Sequence, residues 1–264
     1  KWIFVPFTGV NKIPWELLVH RGIRVSNNHG NAGIVAERAF SLALATLGRV
    51  AEYDRGLRRG YWHRKDSRAE PFIFWTSLTG KRVSILGTGA IGCRIAEMCA
   101  PFTDDITGFK RTSPEVNYPS FRRITTDLSD ALENCDVCFV TLPLTEATEG
   151  LIGERELVML KGGYIVNISR GTIIQEQALF DALSTGELKG AGLDVWYQHP
   201  NPFHANQMPS DLAFHKLENV VLSPHAGSHA VEGKFGQLEG TLKNLTALFE
   251  TGEPLDIADP ANGY

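Results

Sequence analysis

The sequence lacks a long hydrophobic run. No stretch approaches the roughly 20 apolar residues that a membrane-spanning helix needs. Residues Lys1 to Val10 are too short, and too interrupted by Pro6, to form the hydrophobic core of a signal peptide. These absences predict a protein without membrane contact and with a cytoplasmic location.

Cysteine is also scarce, with four residues in a chain of 264, at positions 93, 99, 135 and 138. Thiols this few and this clustered exclude a disulfide scaffold. Cys135 and Cys138 form a C-x-x-C pair, but the apolar run from Asn134 to Thr141 that contains them is typical of a buried strand. We therefore interpret them as core thiols, because no second Cys or His pair stands at ligand spacing.

The charged side chains form no basic stripe. The chain has 26 basic and 30 acidic residues, interspersed, with a net charge of -4. It therefore has no surface that would neutralise the phosphates of a duplex, and no nucleic-acid partner is expected. The eight histidines are equally scattered, and His199, His204 and His215 share a loop without a carboxylate cluster, so no metal is predicted.

What the chain does contain is ordinary globular composition, with 43% hydrophobic and 21% charged residues, and a length that fits one large or two modest domains. From Lys81 onward, short apolar runs alternate with amphipathic stretches, which is typical of βαβ units. We predict an α/β fold with a doubly wound parallel sheet. The predicted strands are 82–86, 106–109, 137–142, 164–168, 191–195 and 220–222, and the predicted helices are 90–100, 128–133, 155–160 and 175–183.

Two further helices are predicted outside this alternation. Apolar residues at helical spacing indicate one long helix from Asn31 to Arg58 and another from Ala230 to Thr251. The segment between the first helix and the sheet, Arg59 to Thr79, is irregular and aromatic. It is either a packed loop or an arm that buries its rings against a second subunit. We favour the arm, and hence a homodimer; its aromatic residues are Tyr61, Trp62, Phe72, Phe74 and Trp75.

The strongest motif is Gly87-Thr-Gly89-Ala90-Ile91-Gly92, which follows a predicted strand and opens a predicted helix. That context turns a weak glycine pattern into a dinucleotide-binding fingerprint. The first glycine permits the tight turn, the second lets the backbone approach a pyrophosphate, and the third packs helix on strand. The helix N-terminus adds amides and a partial positive charge.

The residues that follow the second strand indicate which dinucleotide binds. NAD-binding versions carry a carboxylate there, about 20 residues after the glycines, for the ribose hydroxyls. Here the place holds Lys110 and Arg111. Cations pair with a 2′-phosphate, so NADP is favoured, with NAD as the alternative. The other interpretation is a solvated basic turn.

Three more segments stand where strands of this sheet end, namely Val166 to Gly171, Gly192 to Pro200 and Leu222 to Gly227. Ligands of open α/β sheets bind beyond the carboxyl ends of strands. These segments contain Arg170, Asp194, His199 and His225. Together such side chains could bind an anionic substrate, hold the amide of a nicotinamide and transfer a proton. Singly, each is also consistent with an ordinary loop residue.

On these motifs the sequence resembles the D-isomer-specific 2-hydroxyacid dehydrogenases, which include phosphoglycerate, glyoxylate and formate dehydrogenases. The resemblance runs in order along nearly the whole chain. It is carried by Trp2 to Val10, Asn31, Val35-Ala36-Glu37, the glycine motif, Leu142-Pro143 with Thr148, Asn167 to Gly171, Asp194-Val195, Ser223 to Gly227 and Gly263-Tyr264.

The resemblance implies an enzyme that moves a hydride between NADP(H) or NAD(H) and the carbonyl carbon of a small 2-oxo acid. Arg170 matches the arginine that holds the substrate, and His225 the histidine that protonates the nascent alkoxide. Gly9 and Val10 match a loop that meets the carboxylate, and Asn31 an asparagine that formate dehydrogenases use on substrate. The residues expected to hold the cofactor are Gly87, Gly89, Ala90, Ile91, Gly92, Lys110, Arg111, Thr112, Leu142, Pro143, Thr148, Ile168, Ser169, Asp194 and Gly227.

The chain departs from the family at one catalytic position. The Glu that supports the protonated catalytic histidine is replaced by His199. An imidazole cannot supply the missing negative charge, so we expect His225 to hold its proton less well. His199 could still orient His225 by accepting a hydrogen bond as a neutral imidazole. The resemblance supports this idea, because formate dehydrogenases have an uncharged Gln at the same position.

The second departure is length, because the chain enters the flavodoxin-like substrate domain of the family near its end. We expect residues 1–30 and 227–264 to be a remnant of that domain, in a fragment of a longer protein, and residues 31–226 to be the dinucleotide-binding Rossmann domain. Three functions stay open at this point. They are a glyoxylate or hydroxypyruvate reductase, a non-catalytic NAD(P)-binding regulator on the same fold, and a formate-dehydrogenase-like enzyme.

Overall fold

The structure is a computed structural model that describes residues 1–62, 74–112, 118–200 and 206–261. Phe72, His204, Gly263 and Tyr264, which enter the expectations above, lie outside these residues. The strands are β1 Trp2–Phe4, β2 Arg24–Ser26, β3 Val83–Leu86, β4 Ile106–Phe109, β5 Arg123–Thr125, β6 Val137–Val140, β7 Tyr164–Asn167, β8 Gly190–Leu193 and β9 Val220–Leu222. The helices are α1 Trp15–His20, α2 Ala32–Leu47, α3 Val50–Arg58, α4 Ala90–Cys99, α5 Leu128–Leu132, α6 Glu154–Met159, α7 Glu176–Ser184 and α8 Gly233–Thr251.

Seven strands form one parallel sheet in the order β5-β4-β3-β6-β7-β8-β9. The chain starts at the centre with β3, moves outward to β5, and then crosses back to β6 on the other side of β3. This arrangement confirms the predicted doubly wound fold. The crossing point between β3 and β6 is where such sheets bind ligands.

Both faces of the sheet are covered, as a parallel sheet requires. Successive residues of β6 belong alternately to two separate clusters: Val137 and Phe139 face one core, and Cys138 and Val140 the other. Helices α2 and α4 pack in the first core, and α6 and α7 in the second. Cys135 and Cys138 are buried and unpaired by disulfide, which agrees with their interpretation as core thiols.

The single long helix predicted over residues 31–58 is wrong, because the structure has two helices there. Helix α2 ends at Leu47, and Arg49 adopts a left-handed backbone with φ of 51°. Arg49 then pairs with Glu52 in the first turn of α3 at 2.5 Å. The apolar spacing runs through both helices, so periodicity alone could not reveal the break.

Two smaller differences from the prediction are the start of α8 and one additional strand. Helix α8 begins at Gly233 and not at Ala230, and the edge strand β5 was not predicted. Strand β5 has three residues, of which only Ile124 is apolar, and such a short edge strand carries no alternating pattern. No helix in the described part of the chain is long and apolar enough to cross a membrane.

The first 26 residues contain a second, two-stranded sheet and helix α1. Strands β1 and β2 pair in parallel, and a small core of Val10, Leu18, Val25 and Ala258 lies beside them. Ala258 follows α8 and bridges to Val25 in the antiparallel sense. The segment before the large sheet and the segment after α8 therefore pack against each other.

Candidate active site

The glycine loop follows β3. It lies where the order of the strands reverses, because β4 is on one side of β3 and β6 on the other. Gly87 has φ of 108°, a conformation that side chains other than glycine rarely adopt. Thr141, directly after β6, donates its hydroxyl to the Gly87 carbonyl oxygen at 2.8 Å. A Cβ on Gly87 would also lie 2.7 Å from that hydroxyl oxygen. The loop is therefore held in place from the neighbouring strand.

The other two glycines have opposite surroundings. A Cβ on Gly92 would lie 1.9 Å from the Gly87 carbonyl oxygen, so this residue must be glycine for α4 to pack against the loop. A Cβ on Gly89 would meet nothing within 4 Å, so its backbone faces open space. Helix α4 begins at Ala90, followed by Ile91. It has no side-chain cap and no acidic residue in its first turn. Its N-terminal amides are thus suited to an anion, and the loop fits a dinucleotide phosphate.

The basic residues expected to select the cofactor follow β4, next to the glycine loop in the sheet. Lys110 donates its backbone amide to Thr125 at 3.1 Å, and its ammonium lies 5.5 Å above the Tyr118 ring. Arg111 and Thr112 are exposed. From Thr107 to Thr112 the chain has no carboxylate, so nothing there would accept ribose hydroxyl hydrogen bonds as a carboxylate does.

Two loops, after β6 and β7, lie on the side of the glycine loop opposite to Lys110. Ser169 donates its hydroxyl to the carbonyl oxygen of Leu142, which joins the end of β7 to the end of β6. Thr148 donates to the Pro143 carbonyl oxygen at 2.6 Å and stabilises the turn after β6. Leu142, Ile168 and Ser169 are buried. The structure thus brings five residues of the expected cofactor set together at one edge of the sheet.

Arg170 follows β7 and is held by its neighbours. The buried Asn167 side chain accepts from the Ser169 amide at 3.1 Å and donates to the Arg170 carbonyl oxygen at 2.9 Å, which shapes the turn. The guanidinium donates to the Ser169 carbonyl oxygen at 2.7 Å and to Asn11 Oδ1 at 3.2 Å. Burial lowers the pKa of Arg170, but an arginine remains cationic at neutral pH.

Gly9 lies directly against this guanidinium. A Cβ on Gly9 would be 2.1 Å from Arg170 Nη2, so any larger residue would displace the guanidinium from this position. Val10 is buried in the small core beside it. Sequence reasoning identified Gly9 but missed Asn11, whose only signal was its position in the same loop.

His225 follows β9 in an unusual backbone conformation, with φ of 56°. Beside it, the amides of Ala226 and Gly227 donate to the two oxygens of Asp194 at 3.0 and 2.8 Å. The Ser223 hydroxyl donates to the same carboxylate. Asp194 is buried and follows β8, so it ties the histidine loop to the neighbouring strand. Left-handed non-glycine residues persist only where surrounding contacts hold them.

The surroundings of His225 disfavour its protonated form. The protein around the ring displaces water, which lowers the pKa of His225, and the charge of Arg170 lowers it further. Asp194 opposes this effect, whereas His199 and His229 add to it. The ring centroids of His199 and His225 are 5.5 Å apart, with an angle of 43° between the planes. The structure therefore places His199 beside His225, as expected for the position of the missing Glu.

Asn31 has a different environment from the rest of the expected set. It is buried at the start of α2, and its Oδ1 has no hydrogen-bond partner among the described residues. A Cβ on Gly236 of α8 would lie 2.8 Å from this oxygen. No described contact joins Asn31 to Arg170 or His225, so its role toward substrate stays a prediction.

Comparisons with known proteins agree with this geometry. Residues 40–227 match the family described as D-isomer specific 2-hydroxyacid dehydrogenase, NAD binding domain. Glyoxylate/hydroxypyruvate reductase A of Arabidopsis thaliana is 36% identical over 244 residues, which cover 91% of this chain and 72% of that protein. The glyoxylate reductase of Thermococcus litoralis is 34% identical over 248 residues, 93% of this chain and 72% of the relative.

A solved structure extends the likeness to three dimensions. The NADPH-dependent glyoxylate/hydroxypyruvate reductase of Sinorhizobium meliloti, in complex with NADP and malonate, superimposes with a TM-score of 0.81. It is 30% identical, and the alignment covers 99% of this chain and 78% of that one. The chain therefore belongs to the D-isomer-specific 2-hydroxyacid dehydrogenase family and contains its NAD-binding domain.

Proposed function

We propose that this protein is a reductase that uses NADP(H) to convert a small 2-oxo acid, such as glyoxylate or hydroxypyruvate, into the 2-hydroxy acid. The observation that carries the proposal is the joint placement of Arg170 and His225 at the carboxyl edge of a dinucleotide-binding sheet. Arg170 follows β7 and His225 follows β9, so both come from the carboxyl ends of strands in one parallel sheet, and the charge of Arg170 contributes to the lowered pKa of His225. The reductases named above support the choice of substrate class.

Arg170 binds and polarises the substrate in this proposal. Its guanidinium is fixed by two hydrogen bonds and faces the Gly9 loop, so it presents a preorganised cation to a carboxylate and its neighbouring carbonyl. A fixed cation also stabilises the negative charge that develops on the carbonyl oxygen. The backbone of Gly9 and Val10 completes the carboxylate site.

His225 supplies the proton to the nascent alkoxide. An imidazole with a pKa near neutral is suited to general acid catalysis at physiological pH. Because its pKa is lowered, the acid form is lost at a lower pH than in an unperturbed histidine. His199 orients the ring without supplying a carboxylate charge.

The cofactor would be held by the glycine loop Gly87 to Gly92, by Lys110 and Arg111 on a 2′-phosphate, and by Asp194 on the nicotinamide amide. When bound, it supplies the hydride. The open space at Gly89 and the uncapped start of α4 fit its phosphates. The absence of a carboxylate between Thr107 and Thr112 favours NADP, and NAD is the alternative.

The remaining parts of the proposal concern the whole molecule. Tyr61, Trp62, Phe74 and Trp75 are exposed, between 43% and 72%, as an arm that covers a second subunit would be. We therefore propose a homodimer, and light scattering that gives a monomer mass would contradict it. The cytoplasmic location and the division into residues 31–226 and the flanking substrate-domain remnant stay predictions, testable by cell fractionation and by limited proteolysis.

The second candidate function is a regulator that binds NADP(H) without turnover. The observation that favours it is His199 in place of a carboxylate partner for His225. A formate-dehydrogenase-like activity is the third candidate, and it rests on Asn31, whose buried Oδ1 has no hydrogen-bond partner among the described residues.

Oxidation of NADPH and NADH by glyoxylate, hydroxypyruvate, pyruvate and phenylpyruvate tests these alternatives. We expect turnover with NADPH preferred, loss of turnover in Arg170→Met, and no change in Arg155→Met, a control at an exposed arginine on α6. NADPH binding without turnover of any of the four acids would refute the reductase proposal and support the regulator proposal.

A further inference from the structure

A chain of hydrogen bonds leads from helix α2 to the Asp194 carboxylate. Arg38, near the middle of α2, donates from Nη2 to Ser223 Oγ at 2.7 Å, and Ser223 Oγ donates to Asp194 Oδ1. The direction is fixed by chemistry, because an arginine only donates and a carboxylate only accepts. The one hydroxyl proton of Ser223 must therefore point at Asp194, and its lone pair at Arg38.

The chain of hydrogen bonds is largely shielded from water. Ser223 and Asp194 are buried, and Arg38 is half-buried, with a buried Nε that has no hydrogen-bond partner among the described residues. The Ser223 carbonyl oxygen also accepts from the Trp196 indole at 2.7 Å, which fixes the serine backbone. A hydrogen bond to a charged group in such surroundings is stronger than one between neutral groups.

Asp194 passes this constraint on to the loop of His225. Its oxygens accept from the amides of Ala226 and Gly227, directly after the left-handed His225. A carboxylate has about four acceptor positions. Three are occupied by Ser223, Ala226 and Gly227, which leaves one position on Oδ2 for a further donor.

We propose that Arg38 is a positioning residue that acts through Ser223 to fix the orientation of the Asp194 carboxylate and the loop that carries His225. Arg38 reaches the site through its hydrogen bond to Ser223 and is not among the residues expected to bind substrate or cofactor. Its role in the free protein is independent of the function proposed above. Its effect on cofactor binding and turnover rests on that function.

The test uses Arg38→Met, Arg38→Lys, Ser223→Ala and the double variant Arg38→Met/Ser223→Ala, with Arg58→Met as the control. Arg58 is an exposed arginine paired with Asp54 on its own helix, far along the chain from the loop. Two quantities are measured in each protein, namely hydrogen exchange at the amides of Ala226 and Gly227 in the free protein and the Kd for NADPH.

We expect both amides to exchange about tenfold faster in Arg38→Met and the Kd for NADPH to rise about tenfold, because a charged hydrogen bond is lost. Arg38→Lys restores one donor and part of both effects. In the Ser223→Ala background the Arg38 substitution adds little, because the two residues act in one chain. Arg58→Met leaves both quantities unchanged.

Two outcomes overturn the proposal. One is unchanged exchange at Ala226 and Gly227 in Arg38→Met. The other is an effect of Arg38→Met that is fully additive with Ser223→Ala, which indicates a structural role independent of the serine. If Arg38→Met does not fold, the comparison of Arg38→Lys with Ser223→Ala decides the same question. Altered exchange in a protein without turnover would support the positioning role and refute the reductase.

Discussion

Replacing His199 with Glu tests how the pKa of His225 is set. Burial, Arg170 and His199 lower this pKa, and Asp194 raises it. The reductive reaction needs protonated His225, so its rate falls as the pH rises through that pKa. A carboxylate at position 199 stabilises the imidazolium and raises the pKa. The falling limb of kcat/KM should therefore move to higher pH in His199→Glu.

The size of the shift follows from the geometry. The two rings are 5.5 Å apart. At about that distance, opposite unit charges interact by about 3 kcal/mol at an effective dielectric constant of about 20, and by about 0.8 kcal/mol in water. His199 is exposed, whereas the protein displaces part of the water around the His225 ring, so the interaction energy lies between these limits and closer to the aqueous one. We expect a shift of about one pKa unit.

The assay is kcat/KM for glyoxylate against pH, with saturating NADPH, for the unmodified protein and for His199→Glu and His199→Gln. The Gln variant is the control, because it keeps a neutral hydrogen-bonding group and adds no charge. Its limb should stay within a few tenths of a unit of the unmodified protein. A limb in His199→Glu that coincides with that of His199→Gln would refute the electrostatic reasoning.

Three further predictions concern the cofactor loop, the substrate arginine and the cofactor preference. In Gly92→Ala the new Cβ meets a carbonyl oxygen at 1.9 Å, so the free energy of unfolding in urea should fall by about 1–3 kcal/mol. In Gly9→Ala the Cβ displaces the Arg170 guanidinium, so kcat/KM for the 2-oxo acid should fall by about 10²-fold or more, with the Kd for NADPH unchanged. In Lys110→Glu/Arg111→Glu the Kd for NADPH should rise by about 10²-fold and the Kd for NADH should change little.

Each of these predictions has its own contradicting result. An unaltered unfolding curve for Gly92→Ala would mean that α4 does not pack on the loop as described. If Gly9→Ala weakens NADPH binding as much as turnover, Gly9 does not act through Arg170. An equal loss of NADPH and NADH affinity in the double charge reversal would assign Lys110 and Arg111 a role unrelated to a 2′-phosphate.

The sheet was predictable because its strands are buried on both faces and appear as short apolar runs. The glycine motif was predictable because steric demands act locally, as at Gly87 and Gly92. The break between α2 and α3 was not, since the left-handed turn at Arg49 interrupts no apolar spacing. Strand β5 was missed because only Ile124 marks it as a strand.

The sequence predicted individual residues of the candidate site but not the contacts between them. Arg170, His199 and His225 lie in the segments that follow strands β7, β8 and β9, and such segments can be located from the sequence pattern. The contacts of Asn11 with Arg170 and of Arg38 with Ser223 join residues more than 150 positions apart, and no local pattern encodes such pairs. The left-handed backbone of His225 is likewise imposed by its tertiary partners.

Transfer of label from NADPH deuterated at C4 of the nicotinamide tests the central claim most directly. The cofactor carries deuterium at both C4 positions, so that transfer from either face is detected. The protein is incubated with it and with glyoxylate, hydroxypyruvate or pyruvate, and the hydroxy acid is analysed by mass spectrometry. The account predicts one deuterium on the carbon that bears the new hydroxyl, and none of this product in Arg170→Met. Unlabelled product, or NADPH bound with no hydroxy acid formed, would contradict it.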